Sequence, residues 1–588
     1  MDYALMALGG VLVIVAVTVL APRAGVAAPL VLVAVGIAAS FVPGVPSVDL
    51  SPEVILAGVL PPLLYSTAVS MPTMEFRRDF AAISGLSVVL VVLSSVAVGF
   101  LLWWLIPGIP LAIAIALGAV ISPTDAVATS IVKKLGVSPR VVAVLEGESL
   151  LNDASALVLL RSAVAATAVS VTLLGVAWDF VLAVVIAVAI GVLVGMLNLR
   201  VRHAVRNEAA STAVSFVAPF IAYLPAEHLG ASGLVAAVTA GIVTGRGAAK
   251  YLRPQDRIAE RSNWGTVNLL LEGGVFLLVG LELVATVTDV GSEAGGPWAA
   301  VRIGALAAVA IVVLRAGYVA VLLLRARQTR RRGEALREQL PAFKERLRTS
   351  EASPERIEQA KRRVRRKIAD IDYVAGARLG WREGTVLVWA GMRGAVTVAA
   401  AQTLPLDTPQ RPFLLLVAFV VAIGTLFVQG GTLGPVVRWL GVGGADAGAA
   451  EERTALLGLM QQAAFGELKD AAARRGLPGD ARDLDGGERR AFDPRAVERV
   501  RAIVAKKRAL EGSEGSDDER STGDAVQRGP WGPEVTAEFH DLRLRVIEAQ
   551  RAALLDARSL GTYSSSALQS ALDLLDADQI SLELRGGS

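Results

Sequence analysis

Residues 146–153 read Glu146-Gly147-Glu148-Ser149-Leu150-Leu151-Asn152-Asp153, and they open an apolar run that continues past Leu160. Asp153 stands about two turns inside a stretch with the composition of a lipid-buried helix. An isolated carboxylate deep in hydrocarbon costs roughly 2.5–3.5 kcal/mol on insertion scales, so an acid here is expected to face a wet cavity or to bind something positive. Function is therefore sought first at Asp153, and the fold is read outward from it.

The 588 residues are 53% apolar, with mean hydropathy +0.54. The apolar residues fall in blocks of the ~20 residues that a bilayer-spanning helix needs. These are centred near Leu12, Ala34, Val59, Leu93, Ile115, Val158, Val185, Val217, Ala237, Val275, Val309, Trp389 and Val420, which gives about thirteen helices. The chain thus reads as an all-α polytopic membrane protein. Charge is segregated into the connectors, a basic insert over 325–382 and the last quarter of the chain. Residues 1–440 form the expected membrane domain, and 441–588 a mostly helical cytoplasmic tail with a regulatory or oligomerising role. In that tail helical periodicity appears near 455–475 and 536–555, with a Gly/Ser/Asp/Glu-rich linker around 511–523.

The net charge of +4 comes from residues that flank apolar spans without interleaved aromatics, which argues against nucleic acid binding. The absence of cysteine removes disulfides and thiolate chemistry. His203, His228 and His540 are far apart in the sequence, so no histidine metal site is expected, and no cofactor is implied. Asp2 stands where a signal peptide would carry basic residues, so the first apolar run is read as a retained span.

Alternate connectors differ sharply in Lys and Arg. One set holds Arg23, then Arg77 and Arg78, then Lys133, Lys134 and Arg140, then Arg200, Arg202 and Arg206, then Arg246 through Arg261, then the insert; the set around Pro46, Pro107, Ser170, Glu227 and Ser292 has almost none. By the positive-inside rule the N-terminus lies outside and the C-terminus in the cytoplasm; the expected location is a plasma (inner) membrane. An odd helix total permits two inverted six-helix repeats offset by seven, which pair the fifth helix with the twelfth. Each is interrupted, the fifth at Ser122-Pro123-Thr124-Asp125 and the twelfth at Gly391-Met392-Arg393-Gly394. Paired discontinuities of this kind point to a substrate site near the bilayer midplane.

Pro123 lacks an N–H and is expected to free the Ala119 carbonyl, with Thr124 and Asp125 beside the opening. The same four residues also fit a helix-start capping box. On the sixth helix Glu146, Ser149 and Asp153 share a face, and Glu148 and Asn152 lie on the adjoining stripe. Such a row of oxygen donors suits a hard monovalent cation. Arg393, alone in an apolar helix, should face a buried acid: Glu148 first, with Asp125 and Glu272 as alternatives. Glu272 is expected to support the site or to pair with an arginine such as Arg315, and Arg161 to snorkel toward the outer surface. The segment Lys361-Arg362-Arg363-Val364-Arg365-Arg366-Lys367 reads as a topology signal or as a surface for anionic lipid.

Together with Leu60-Pro61-Pro62-Leu63-Leu64-Tyr65 and Phe276-Leu277-Leu278-Val279-Gly280-Leu281-Glu282, these motifs make residues 1–440 resemble monovalent cation/proton antiporters, the NhaP-type and mammalian-type sodium/proton exchangers. The resemblance implies that Asp153 carries the ion and proton, that Thr124, Ser149 and Asp125 help to bind the cation, and that Glu148 and Arg393 form a structural bridge. It also implies a homodimer with an elevator-like core, and electroneutral exchange because Asn152 precedes the essential Asp. The chain departs from many prokaryotic relatives at Tyr65, Ser66 and Thr67, where they carry an acid.

The expected activity is antiport of Na+ (or Li+ or K+) for H+, serving pH homeostasis, with cation and proton competing for Asp153 under alternating access. A K+-selective antiporter is the alternative. A cation channel would need a filter-like repeat that the sequence lacks. An enzyme is not expected, since no His, Cys or Ser triad member accompanies the buried acids.

Overall fold

A computed structural model describes residues 2–42, 52–167, 173–290, 295–348, 353–376, 379–444, 447–473, 492–511 and 533–586, and these are helical throughout, with short connectors and no strand. Seven helices are long and apolar enough to cross a membrane, by length and composition, and three shorter apolar helices accompany them. The protein is a multi-pass membrane protein. Its chain divides into two compact units, Met1–Glu351 with Asp370–Ala445, and Ala352–Ala369 with Asp446–Ser588.

The first unit is built from two interleaved groups of helices. One contains α1 (Asp2–Leu20), α2 (Ala28–Ser40) and α3 (Leu60–Ser70). The chain then enters the second group with α4 (Thr73–Arg78), α5 (Phe80–Ser84), α6 (Val91–Leu105), α7 (Leu111–Ile121), α8 (Val127–Lys134) and α9 (Pro139–Ala165). It returns to the first with α10 (Leu173–Ala204), α11 (Glu208–His228), α12 (Gly233–Tyr251) and α13 (Pro254–Val290). The second group is completed by α14 (Gly296–Arg348), then α16 (Trp381–Trp389), α17 (Ala395–Gln402), α18 (Arg411–Thr425) and α19 (Gly431–Leu440), after the intervening helix α15 (Pro354–Gly376). Within the first group α10 packs on α12 and α2 on α13; within the second α6 packs on α7 and α14 on α18. Between them the main contact is α13 against α18.

Small residues set the closest approach. A Cβ on Gly36 or Gly280 would enter the backbone of the facing helix, so α2 and α13 cross at glycine distance, as helices in a membrane commonly do. Three π-helical stretches, Val54–Val59, Gly85–Leu90 and Leu426–Gly430, interrupt the α ladder, a device frequent near functional sites. The last two belong to the second group.

Helix α14 leaves the membrane without a break and runs 53 residues. The C-terminal end of α15 is fastened to the second group: Tyr373 donates to Asp79 at 2.9 Å, Asp79 takes Arg140 at 2.7 Å, and Asp370 takes Arg78 at 2.6 Å. The Tyr373 ring also lies within 4.8 Å of the Arg78 guanidinium and 5.5 Å of that of Arg140. Burial and the neighbouring Asp79 carboxylate push the Tyr373 phenol up, so it stays a donor.

The tail contains α20 (Ala447–Ala473), α21 (Pro494–Glu511), α22 (Pro533–Leu560) and α23 (Ser565–Gly586). Leu468, Val500, Leu542 and Val546 lie in one core there. Sequence periodicity foresaw parts of α20 and α22 but not α21 or α23. In α21 the stripe Ala496, Val497, Val500 and Val504 is diluted by basic residues, which hid its period. Most of the linker expected at 511–523 lies outside the described residues.

Candidate functional site

Two broken helices cross at the centre of the second group. Helix α7 ends at Ile121 and α8 begins at Val127; α16 ends at Trp389 and α17 begins at Ala395. Each break leaves backbone groups that lipid cannot satisfy. The first supply is mutual, since the Asp125 N–H donates to the Met392 carbonyl at 2.9 Å.

Side chains of opposite charge satisfy the rest. The Asp125 carboxylate accepts the Val127 N–H at 2.9 Å and also meets the Ala395 N–H, so one anion serves two helix N-termini. Gly394 is required beneath it, because a Cβ there would coincide with the Asp125 carboxylate. Arg393 does the converse: its guanidinium donates to the Ile121 carbonyl at 3.0 Å, to Ser122 at 2.9 Å, and to Gly391. Its own N–H is held by Thr425 at 3.0 Å. Negative charge on helix starts and positive charge on helix ends is the arrangement the helix dipole favours.

This corrects the expected Glu148–Arg393 bridge. Glu148 is paired with Arg315 of α14, Nη2 to Oε2 at 2.8 Å with Nη1 on Oε1, and Arg315 Nε donates to the Leu387 carbonyl of α16 at 2.8 Å. The physical reason is that all three guanidinium nitrogens of Arg393 already donate to carbonyls freed by the breaks. A buried carboxylate still needs a cation, and α14 supplies it. The capping-box reading of 122–125 also changes: the helix starts at Val127 with Asp125 as its acceptor, while Ser122 bonds to Ser94 instead.

From Glu148 a chain of hydrogen bonds leads to Asn152. Thr124 Oγ1 donates to Glu148 at 3.3 Å and accepts from Asn152 Nδ2 at 2.8 Å; the same Nδ2 lies 3.3 Å from the Thr124 carbonyl. A cavity of about 10 Å³ touches Glu148, Asn152, Arg315, Arg393, Ser94 and Ser122, large enough for a single water. Asn152 Oδ1 is buried without a protein partner.

Asp153, one residue on, points the other way because successive helical side chains diverge by about 100°. It is 8% exposed and, among the described residues, makes no hydrogen bond or ion pair. Its oxygens are not among the fully sealed polar atoms that lack a partner, so each keeps some exposed surface. Asp125 is its electrostatic neighbour. Ser149 shares this stripe, with Oγ on the Glu146 carbonyl at 3.2 Å, and Glu146 takes Lys133 at 3.4 Å.

Glu272 lies near the middle of α13 yet is exposed, as are Ala126, just before α8, and Ser130 and Lys134 within it, at successive four-residue steps. Glu272 interacts electrostatically with Asp125 and Lys134. Glu272 therefore lies within electrostatic reach of Asp125. Thus Thr124, Asp125, Glu148, Asn152, Asp153, Pro123 and Arg393 are brought to one crossing, with Glu272 at its approach. Arg161 does not snorkel freely; it pairs with Glu227 at 2.9 Å. In the third helix Tyr65 accepts from Asn198 at 2.9 Å, and Ser66 donates to Asn268 at 2.7 Å.

Comparison with known proteins points the same way. A family described as "sodium/hydrogen exchanger, transmembrane" matches residues 10–439. The exchanger YjcE of Escherichia coli, itself uncharacterized, is 35% identical over 245 residues, which are 40% of this chain and 45% of that protein, so the match spans under half of its length. An uncharacterized Na(+)/H(+) exchanger of Mycobacterium tuberculosis is 28% identical over 575 residues, covering 96% of this chain and 93% of its own. The sodium proton antiporter MjNhaP1 of Methanocaldococcus jannaschii shares the fold, with TM-score 0.53 and 16% identity over 75% of this chain and 99% of its own.

Proposed function

Because the chain belongs to the sodium/hydrogen exchanger family, we propose that it is a secondary active antiporter exchanging Na+ for H+, with Asp153 as the carrier of both. The observation that supports this reading is the contrast at Asp153: a buried carboxylate with no hydrogen-bond or ion-pair partner among the described residues, whose oxygens are not fully sealed, beside two broken helices. A site of this kind binds either a proton or a cation, and exclusion of one by the other couples the fluxes.

In this mechanism the cation is held by Asp153 with Asp125, Ser149 and Thr124. Thr124 Oγ1 accepts one hydrogen bond and donates one, which leaves it a lone pair for a cation. Asn152 contributes no charge, so one proton replaces one monovalent cation and exchange is electroneutral. Glu272 attracts cations toward the crossing. Li+ and K+ compete in the same site, and their ranking follows from transport measurements. Alternating access comes from movement of the helix group that carries the crossing against the other.

The protein is proposed to act in pH homeostasis as a homodimer of the plasma membrane, N-terminus outside and tail in the cytoplasm. Exposed Trp104, Trp178 and Trp298 near one set of helix ends, and Trp381 and Trp439 near the other, suit the two interfaces of a bilayer. The exposed Lys361, Arg362, Arg363, Arg365, Arg366 and Lys367 of α15 suit anionic headgroups. The test is dissipation of a pH gradient in proteoliposomes, with Na+, Li+ and K+ titrated separately. Wild-type protein should respond to Na+ and Asp153→Asn should not; exchange by the Asn variant refutes the assignment.

A further inference from the structure

The two sides of Asp153 are closed differently. Toward Lys134 an exposed stripe runs along α8. Away from it Asp153, Leu157 and Arg161 lie at four-residue steps on one face of α9, so a route to the carboxylate from that end passes Arg161 and then Leu157. Leu157 is buried, at 8% exposure. Arg161 reaches across to the other helix group, where its Nη1 lies 2.9 Å from Glu227 Oε2. The second Glu227 oxygen accepts the Gly233 N–H at 2.9 Å, which fixes it on the first turn of α12. Beneath the pair, Leu157 and Arg161 line a cavity of about 10 Å³ with Tyr223, Glu227 and Leu234. A second polar link joins the groups in the same half of the protein, between Gln402 of α17 and Glu282 of α13.

We propose that Arg161 and Glu227 form an outer latch, an ion pair that holds the two helix groups together while Asp153 is open toward Lys134 and that breaks each time the site opens to the other side. This rests on the alternating-access reading above. No motif pointed to it, since the partners are 66 residues apart and Arg161 reads as an ordinary snorkelling residue. The pair is partly exposed, with side chains 54% and 25% accessible. It therefore biases an equilibrium between two states rather than locking one.

The chain has no cysteine, so a single reporter can be introduced without background. Leu157→Cys in proteoliposomes is exposed to a membrane-impermeant maleimide from the side of the Arg161 helix end. With Glu227→Gln, which keeps an acceptor for Gly233 but loses the charge, the labelling rate should rise about two- to five-fold, the population shift that a partly exposed ion pair supports. Arg161→Gln should raise it equally. The exchanged pair Arg161→Glu with Glu227→Arg should return it toward the parent rate, which separates the latch from general loosening. Unchanged labelling in both single variants overturns the latch. Labelling does not depend on ion flux, so a latch that responds as expected in a protein without Na+/H+ exchange would leave the latch standing and defeat the antiport reading.

Discussion

Glu148 and Asp153 sit five residues apart on α9, are both at least nine-tenths buried, and have opposite fates. Glu148 takes a two-pronged guanidinium and a threonine hydroxyl; Asp153 takes no hydrogen bond or ion pair among the described residues. A carboxylate paired in this way is part of the scaffold, because withdrawing the arginine leaves a buried charge alone. One held without such partners, its oxygens not fully sealed, is available to exchange ligands. The difference teaches that burial alone does not separate the two acids, whereas the presence or lack of a protein partner among the described residues does, and the role proposed for Asp153 rests on that lack.

The largest expected effect separates function from stability at these two positions. Asp153→Asn should abolish Na+-dependent pH-gradient dissipation while melting in detergent stays within a degree or two of wild type. Loss of folding in that variant would mean that Asp153 is structural after all. Arg315→Met should do the converse, costing on the order of 3–5 kcal/mol by stranding Glu148. Adding Glu148→Leu should recover much of that loss, and thermal melting reads both. If the double variant is no better than Arg315→Met alone, the pair is not what holds these helices.

Gly394→Ala probes the crossing itself. The new methyl would meet the Asp125 carboxylate, and overpacking of this kind costs ~1–3 kcal/mol. Both stability and exchange rate should fall, and an unchanged exchange rate would show that Asp125 can move without consequence. The smallest effect is expected far from the crossing, at Tyr373→Phe, which removes one hydrogen bond to Asp79 at about 0.5–1.5 kcal/mol. The phenol is pushed up, so its bond is intact below the ordinary tyrosine value of about 10 and weakens only as pH rises beyond it. The stability difference between Tyr373 and Phe should accordingly stay constant from pH 6 to pH 9 in melting experiments.

The helical membrane architecture and the interruptions at 122–126 and 390–394 were legible in the sequence, because apolar blocks of bilayer length and a mid-block Pro or Gly are local signals. The Glu148 partner was not. Arg315 and Arg393 each stand in an apolar helix, and nothing local ranks them. What decides is the number of carbonyls that the two breaks release, since Ile121, Ser122 and Gly391 consume Arg393 and leave Arg315 for Glu148. Counting orphaned carbonyls at each break would have favoured Arg315. The role of Gly394 was equally hidden, because it depends on the Asp125 side chain 269 positions earlier lying over it. The exposure of Glu272 depends on packing between helix groups, which no periodicity reports.

The central claim is that Na+ and H+ displace one another at a single carboxylate. It is tested most directly by counting protons released when Na+ is added to the purified protein in weak buffer near the pH of half-maximal exchange. The account predicts proton release that saturates with Na+ binding and disappears in Asp153→Asn but persists in Glu148→Leu with Arg315→Met. Saturable Na+ binding without proton release, or release that survives in Asp153→Asn, would contradict it.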